Sequence, residues 1–519
     1  MTVRFSRGLF GSVLFLAGFV ILSRLLGGTP LATPQRSNGS RQGAGARTSE
    51  LWSKPVPRAE CGKGDRVETG LQGQTTLAER MSGASSKAHN CNLELVGQFQ
   101  GEGASWQMAS FDQCAYYGTA GREGQQNKGV VVVDASDPRR PVASTYLDAR
   151  SMWDPWESLK VNVPRKLLAA VQADNGNGLQ PGFAVYDISD CRRPILKSSV
   201  DLGAPVKGHA GNFAPDGRTY YGGQLAIGTY PIDIDNPSEP KLLGVWPGQG
   251  GVGVPHDLSL NAAGNRLYTA QPGGLRRPGN AATSNAAVSN GLVITDVSDF
   301  QARRPNAQPN VIASLFWKDG AIAQMTERVQ INGRPYLIFT DEAGAGGIGE
   351  GAKAACAQNL PPFGFARIID IADDRNPRVV SKLMLEVHDP ANCAAVQPDT
   401  GFSDIFGYSS HYCTADNPDN TQYLACSYFE AGLRVFDIRD PYRPKEIAYY
   451  KPATRSATLS GSSSPSLRRG NRNTDWTSSN IRWRRHGDEL QLWFTSHENG
   501  FQIVKFTNRL ASLTKNFSD

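Results

Sequence analysis

One phrase recurs along this chain, and such recurrence constrains the fold more than any single residue. Residues 129–142 read GVVVVDASDPRRPV and residues 182–195 read GFAVYDISDCRRPI. The phrase returns at 291–306 (GLVITDVSDFQARRPN), 365–380 (FARIIDIADDRNPRVV) and 432–447 (GLRVFDIRDPYRPKEI). A weaker copy lies at 227–243, and a truncated one, GFQIVKF, at 500–506. The aspartates that close the β-branched runs are Asp134, Asp187, Asp233, Asp296, Asp370 and Asp437, with Lys505 in that place in the last copy. Successive markers are 46 to 74 residues apart, a spacing that signals a repeat architecture.

Each unit holds four short runs rich in β-branched or aromatic residues, separated by Gly, Asn, Asp and Pro. In the first unit these are 104–111, 113–120, 129–136 and 140–148. The 55 glycines and 32 prolines fit many turns and short strands. Four short strands per unit, repeated radially, predict a β-propeller. The count is seven. The last unit ends after three strands, and a spare strand, CNLELVGQFQ (91–100), precedes the first. The expected fold is therefore all-β: a seven-bladed propeller of four-stranded blades, closed by an N-terminal strand that completes the last blade and removes an exposed edge.

The phrase L-x-V-x-D-I-S-D-P-x-x-P resembles the LVIVD-repeat family of bacterial exported β-propellers. The likeness covers roughly residues 91–507 and is clearest at 129–142, 182–195 and 432–447. It implies the fold and export. It carries over no catalytic residue, because the family is defined by its repeat and fold does not fix function.

Around this body the chain divides into residues 1–27, 28–60, 61–90, 91–507 and 508–519. Arg4 and Arg7 precede the apolar run Leu9–Ser23, so 1–27 reads as an export signal, cleaved or retained as an N-terminal anchor. Residues 28–60 read as a disordered linker, 61–90 as an extension packed on the body, and 508–519 as a tail. Either fate of 1–27 puts the body outside the cytoplasm: periplasm, cell surface or medium. Eight cysteines without a CxxC pair fit that oxidising setting. Cys413 and Cys426 should face each other across a hairpin, and Cys356 should join Cys393. Cys61, Cys91, Cys114 and Cys191 allow three pairings, of which Cys91–Cys114 with Cys61–Cys191 is the one preferred.

The net charge of +6 is modest and no basic stripe carries interleaved aromatics, so no nucleic-acid partner is expected. Membrane contact is expected only through an N-terminal anchor. There is no GxSxG, P-loop, HExxH or GxGxxG leading into a helix. The repeated Asp-x-x-Asp reads as turn chemistry, with carboxylates bonding local backbone amides. The Gly-rich stretch 344–351 and the stretch 461–473 read as a flexible loop and a disordered insertion.

Alignment of the units points to one rim of the channel. First strands begin near Glu157, His209, His256, Glu327, His411 and Asn480. Second strands end at Gln172, Gln224, Gln271, Asp341–Glu342 and His497–Glu498. His388 falls in a loop of the same face. Imidazole with carboxylate suits Zn, Cu, Fe or Mn. The expected metal ligands are His209, His256, His411 and Glu327, with Glu157 and His497 as candidate catalytic acid–base groups. Trp156, Gln172, Gln224, Gln271, Glu342, Asn480 and Glu498 are the expected ligand contacts, and Trp153 is a second candidate wall. Two functions follow. One is a binding or scaffold protein with a polar, His-bearing face for a small molecule, polymer or protein. The other is a metal-dependent hydrolase, lyase or oxidoreductase with a divalent transition metal in the channel mouth.

Overall fold

A computed structural model describes residues 54–102, 106–118, 126–173, 182–203, 208–225, 228–247, 255–273, 290–347, 351–400, 406–455, 459 and 474–516. The export signal or anchor at 1–27 and the insertion at 461–473 lie outside them, as does most of the linker at 28–60.

Seven antiparallel sheets form the seven blades of a propeller. Their inner-to-outer strands run through 108–147, 160–200, 210–242, 258–316, 321–383, 410–451 and 482–506. The third strand of blade one, Val130–Asp134, shows why the recurring phrase is so apolar. Its four valines are fully buried, because neighbouring blades cover both faces, and only Asp134 at its end is partly exposed. Side chains alternate across a strand. Val130 and Val132 therefore pack with Leu168 and Ala184 of blade two, while Val131 and Val133 pack with Trp493 and Ile503 of blade seven. The same alternation produces seven inter-blade cores and closes the ring.

The glycine that opens the phrase has a steric reason. Gly129 adopts φ 105°, and a Cβ there would lie 2.0 Å from the Leu147 carbonyl oxygen on the fourth strand. Gly500 in blade seven, at φ 70°, faces the Phe99 carbonyl oxygen in the same way, at 2.4 Å. The closing aspartates behave as turn residues. The carboxylates of Asp134, Asp187, Asp233, Asp296, Asp370 and Asp437 each accept the backbone N–H two residues on, at 2.8–3.2 Å. No calcium is needed to explain them.

Strand Leu93–Phe99 pairs with Phe501–Phe506 and completes blade seven, as expected. A second closure was not foreseen. His89–Cys91 pairs with Tyr449–Lys451 and gives blade six a fifth strand. One N-terminal segment thus joins two blades. The chain before it forms a strap: Val56 donates to Met384 O, and helix Leu77–Ser82 starts with a Thr76/Glu79 capping box.

All eight cysteines are paired. Cys413–Cys426 and Cys356–Cys393 form as expected. The other two pairs correct the sequence reading: Cys61 joins Cys91, and Cys114 joins Cys191. Cys91 lies on the outermost strand of blade six, whereas Cys114 starts the second strand of blade one, so these two cannot meet. Instead Cys114–Cys191 links blades one and two, and Cys61–Cys91 ties the strap to the fifth strand. Four disulfides indicate an oxidising, extracytoplasmic setting. Among the described residues no helix is long and apolar enough to cross a membrane.

Candidate metal centre at the channel mouth

Five side chains from five consecutive blades converge at one mouth of the axial channel. Glu157 precedes the first strand of blade two, which begins at Lys160. Its backbone forms a parallel bridge with Ala210, and its N–H donates to His209 O at 3.1 Å. That bond locks the two neighbouring blades together where both supply a side chain. His209 directly precedes its strand, His256 lies two residues before Leu258, and His411 is the second residue of Ser410–Ala415. Glu342 comes from the end of the second strand of blade five.

His411 Nε2 lies 3.2 Å from Glu157 Oε1 and 3.4 Å from Glu342 Oε2. His256 Nε2 lies 3.3 Å from Glu342 Oε1, and His209 Nε2 lies 3.4 Å from Glu157 Oε2. The His209 and His256 rings are 4.4 Å apart between centroids. Both carboxylates are buried, with 2% and 8% of their side chains exposed. Burial alone would raise both carboxyl pKa values. The neighbouring imidazoles of His209 and His411 instead hold Glu157 well below the usual range, and the charge of His256 lowers Glu342. Burial disfavours a charged His411, but hydrogen bonds to Glu157 and Glu342 win and push it up to about 9.

Two of the three rings, His256 and His411, are oriented by backbone carbonyls. His256 Nδ1 lies 3.3 Å from Gln324 O, and His411 Nδ1 meets Ser478 O. An imidazole whose Nδ1–H is held by a backbone carbonyl presents its Nε2 lone pair to the centre, the usual outer-shell arrangement at metal sites. The nitrogen–oxygen separations of 3.2–3.4 Å exceed the 2.7–2.9 Å of a charge-assisted hydrogen bond. They fall in the range of ligand–ligand separations around an ion with metal–ligand arms of 2.0–2.2 Å, about 3–3.6 Å. Glu157 Oε2 is buried without a hydrogen-bond partner, as is His209 Nε2. With their imidazoles neutral, as metal ligands must be, the two carboxylates would leave the charge that a divalent cation neutralises. Ligand atoms of Glu157, His209 and His256 all lie within 4.8 Å of one another, so these three fit such an ion, with His411 and Glu342 beside them.

Not every expected residue arrives here. Glu327 does not. The first strand of blade five begins at Ala321, not Met325, and carries a bulge between Ala323 and Met325. Glu327 pairs with Ile338, four residues or about 13 Å down the channel from Glu342. There burial pushes its carboxyl up to about 8, and Ala415 N donates to it. Gln324 takes its place at the mouth, with Nε2 2.9 Å from His411 Nε2. Glu157, expected as an acid–base group, stands within the cluster, 3.2 Å from His411 Nε2 and 3.4 Å from His209 Nε2. His497 is one step removed. Its Nε2 meets Ser478 Oγ at 2.9 Å, and its ring lies 5.1 Å from Trp106.

Gln172, Gln224, Gln271 and Glu498 stand at the second-strand ends as aligned. Gln172 turns its amide to Ala173 O, and Glu498 accepts Arg455 N. Asn480 meets Gln107 at 3.0 Å and lines a cavity with Ser110, Thr414 and Trp483, away from the histidines. Asp341 serves packing, receiving Asn290, Trp317 and Arg367. His388 is structural: Leu385 N donates to its Nδ1, Nε2 meets Tyr408 O, and burial drives its pKa down to about 3. Trp153 donates to Asp148 O and carries Lys128 over its ring.

Trp156 does reach the cluster, with an aromatic group that sequence reading missed: Trp106, Phe406, Phe429 and Trp476. Trp106 was legible in principle, because it precedes the first strand of blade one as Glu157 precedes that of blade two. No protein-family model matches the chain, and no curated protein matches it.

Proposed function

We propose that this chain is an exported propeller of the LVIVD-repeat type that holds one divalent transition-metal ion at its channel mouth. Its ligands are Nε2 of His209, His256 and His411 and the carboxylates of Glu157 and Glu342. The observation that carries this reading is the pair of imidazoles turned inward by backbone carbonyls towards two buried carboxylates. The repeated phrase with its shared turn bonds supports the family likeness. The disulfides support residence in the periplasm, at the cell surface or in the medium, reached through residues 1–27. When bound, the ion supplies Lewis acidity to a small-molecule ligand or to water. The protein's own part is to fix ligand geometry and keep water out.

Metal analysis of protein purified without chelator tests this. About one equivalent is expected in the wild type and less than a tenth in His209→Ala/His256→Ala. No metal in the wild type, or equal metal in both, refutes it. One observation favours a metal-free reading, a polar binding face for a polymer or protein: with His411 protonated, the cluster balances much of its own charge. That reading predicts no stoichiometric metal and an unchanged partner interaction when chelator is added.

A further inference from the structure

Five aromatic side chains cover a cluster that the ordinary polar lining of a channel would leave wet. Trp106 lies 5.4 Å from Trp156, 5.9 Å from Phe406, 6.1 Å from Phe429 and 6.3 Å from Trp476. The group rests on the ligands themselves: Phe429 is 4.9 Å from His411, Trp106 is 5.6 Å from His411, and Trp156 is 6.0 Å from His209.

Trp156 differs from Trp106 and Trp476 in two ways. It is half-buried where they are 2% and 1% exposed. Its φ of 47° also lies in the left-handed region, which is strained for a bulky side chain and is held only where the surroundings enforce it. That strain sits immediately before Glu157 and sets the indole against His209. His209 is the most accessible member of the cluster, with 20% of its side chain exposed against 8% or less for the others. The approach to the centre therefore runs past Trp156.

The charge of the mouth narrows what can use that approach. Among the described residues no lysine or arginine pairs with Glu157 or Glu342. Lys160, further down the channel, is engaged by Asp257 at 3.3 Å. Among the described residues an anionic ligand would find no fixed cation, whereas flat apolar surface is abundant and favours ring stacking.

We infer that Trp156 and Trp106 form the specificity wall of this site, and that it takes a small uncharged molecule with a flat, largely apolar body and one lone-pair donor for the metal. The inference rests on the metal reading of the same cluster.

The test uses the full chain loaded with cobalt(II), whose visible spectrum reports an added ligand. Imidazole, 4-phenylimidazole and benzoate serve as probes. In the wild type, 4-phenylimidazole should bind about tenfold tighter than imidazole and quench tryptophan fluorescence, with benzoate the weakest. Trp156→Gly removes the ring and accepts the left-handed φ, and should cut the preference to about twofold while cobalt stays bound. Trp156→Leu, which keeps apolar bulk without a flat face, should lose the preference as well and serves if the glycine variant does not accumulate. Trp156→Phe should retain most of it. Equal affinity for the two imidazoles, an undiminished preference in both the Gly and Leu variants, or tightest binding of benzoate overturns the inference. Failure to take up cobalt is a different result: it refutes the metal centre and takes this inference with it.

Discussion

Blade six and the channel mouth each bury several charged side chains, but they satisfy them with different partners. Under the strap, buried Arg434 holds Glu446 at 2.9 Å and also meets Glu68, and Lys451 reaches Glu68 at 3.2 Å. Arg80 holds Glu430 at 2.9 Å. Burial pushes Glu68 up, but the charges of Arg434 and Lys451 outweigh it and keep the carboxylate ionised. The guanidinium groups do not give up their protons in proteins, so this cluster is complete as it stands. At the channel mouth the carboxylates pair, among the described residues, with imidazoles, and an imidazole can exchange its proton for a metal. Guanidinium groups make a fastener; exchangeable imidazoles make a site.

The sharpest way to break this comparison is to remove one partner from each cluster. Arg434→Met leaves Glu68 and Glu446 buried with less compensation, and should cost about 3–5 kcal/mol in denaturant unfolding. His256→Ala in metal-free protein should cost far less, because the remaining carboxylates and imidazoles can adjust their protons. If the two variants lose equal stability, the distinction fails.

The histidines offer a second contrast. His388 is buried neutral, and protonating Nδ1 would set it against the Leu385 N–H. Its folded pKa of about 3 lies below the unfolded value near 6.5, so the unfolded chain binds the extra proton between these values. The stability it contributes is complete above pH 6.5. It falls by up to about 1.4 kcal/mol per pH unit as pH drops towards 3. His388→Gln should flatten that part of a stability–pH curve, and an unaltered slope would contradict the assignment.

Glu327 gives a smaller effect of the opposite sign. Its folded pKa of about 8 lies above the unfolded value, so the folded state binds the extra proton and stability falls as pH rises from about 4.5 to 8. Glu327→Gln should stabilise the protein by about 1–3 kcal/mol at pH 7 and leave its metal content unchanged. Loss of metal in this variant would restore Glu327 as a ligand.

The fold was legible because the same physical demands recur in each blade. The leading glycine, the apolar run packed on both faces and the closing aspartate appear in nearly every copy, so repetition separates them from chance. The fifth strand of blade six was not legible, since His89-Asn90-Cys91 has no copy elsewhere. At the site, Glu157, His209, His256, His411 and Glu342 were found by aligning strand ends. Glu327 was misplaced because a bulge and an early start shift the first strand of blade five, and neither leaves a mark in residue pattern. The aromatic cover was missed for another reason: Trp106, Phe406, Phe429 and Trp476 come from separate parts of the chain, and single aromatics in strand-rich sequence look like core.

X-ray absorption on the zinc-loaded protein tests the central claim most directly. The account predicts a nitrogen/oxygen shell at about 2.0–2.2 Å with outer-shell scattering from about three imidazoles, lost in His209→Ala/His256→Ala. A sulfur shell near 2.3 Å, or the spectrum of hydrated zinc without imidazole scattering, would contradict it.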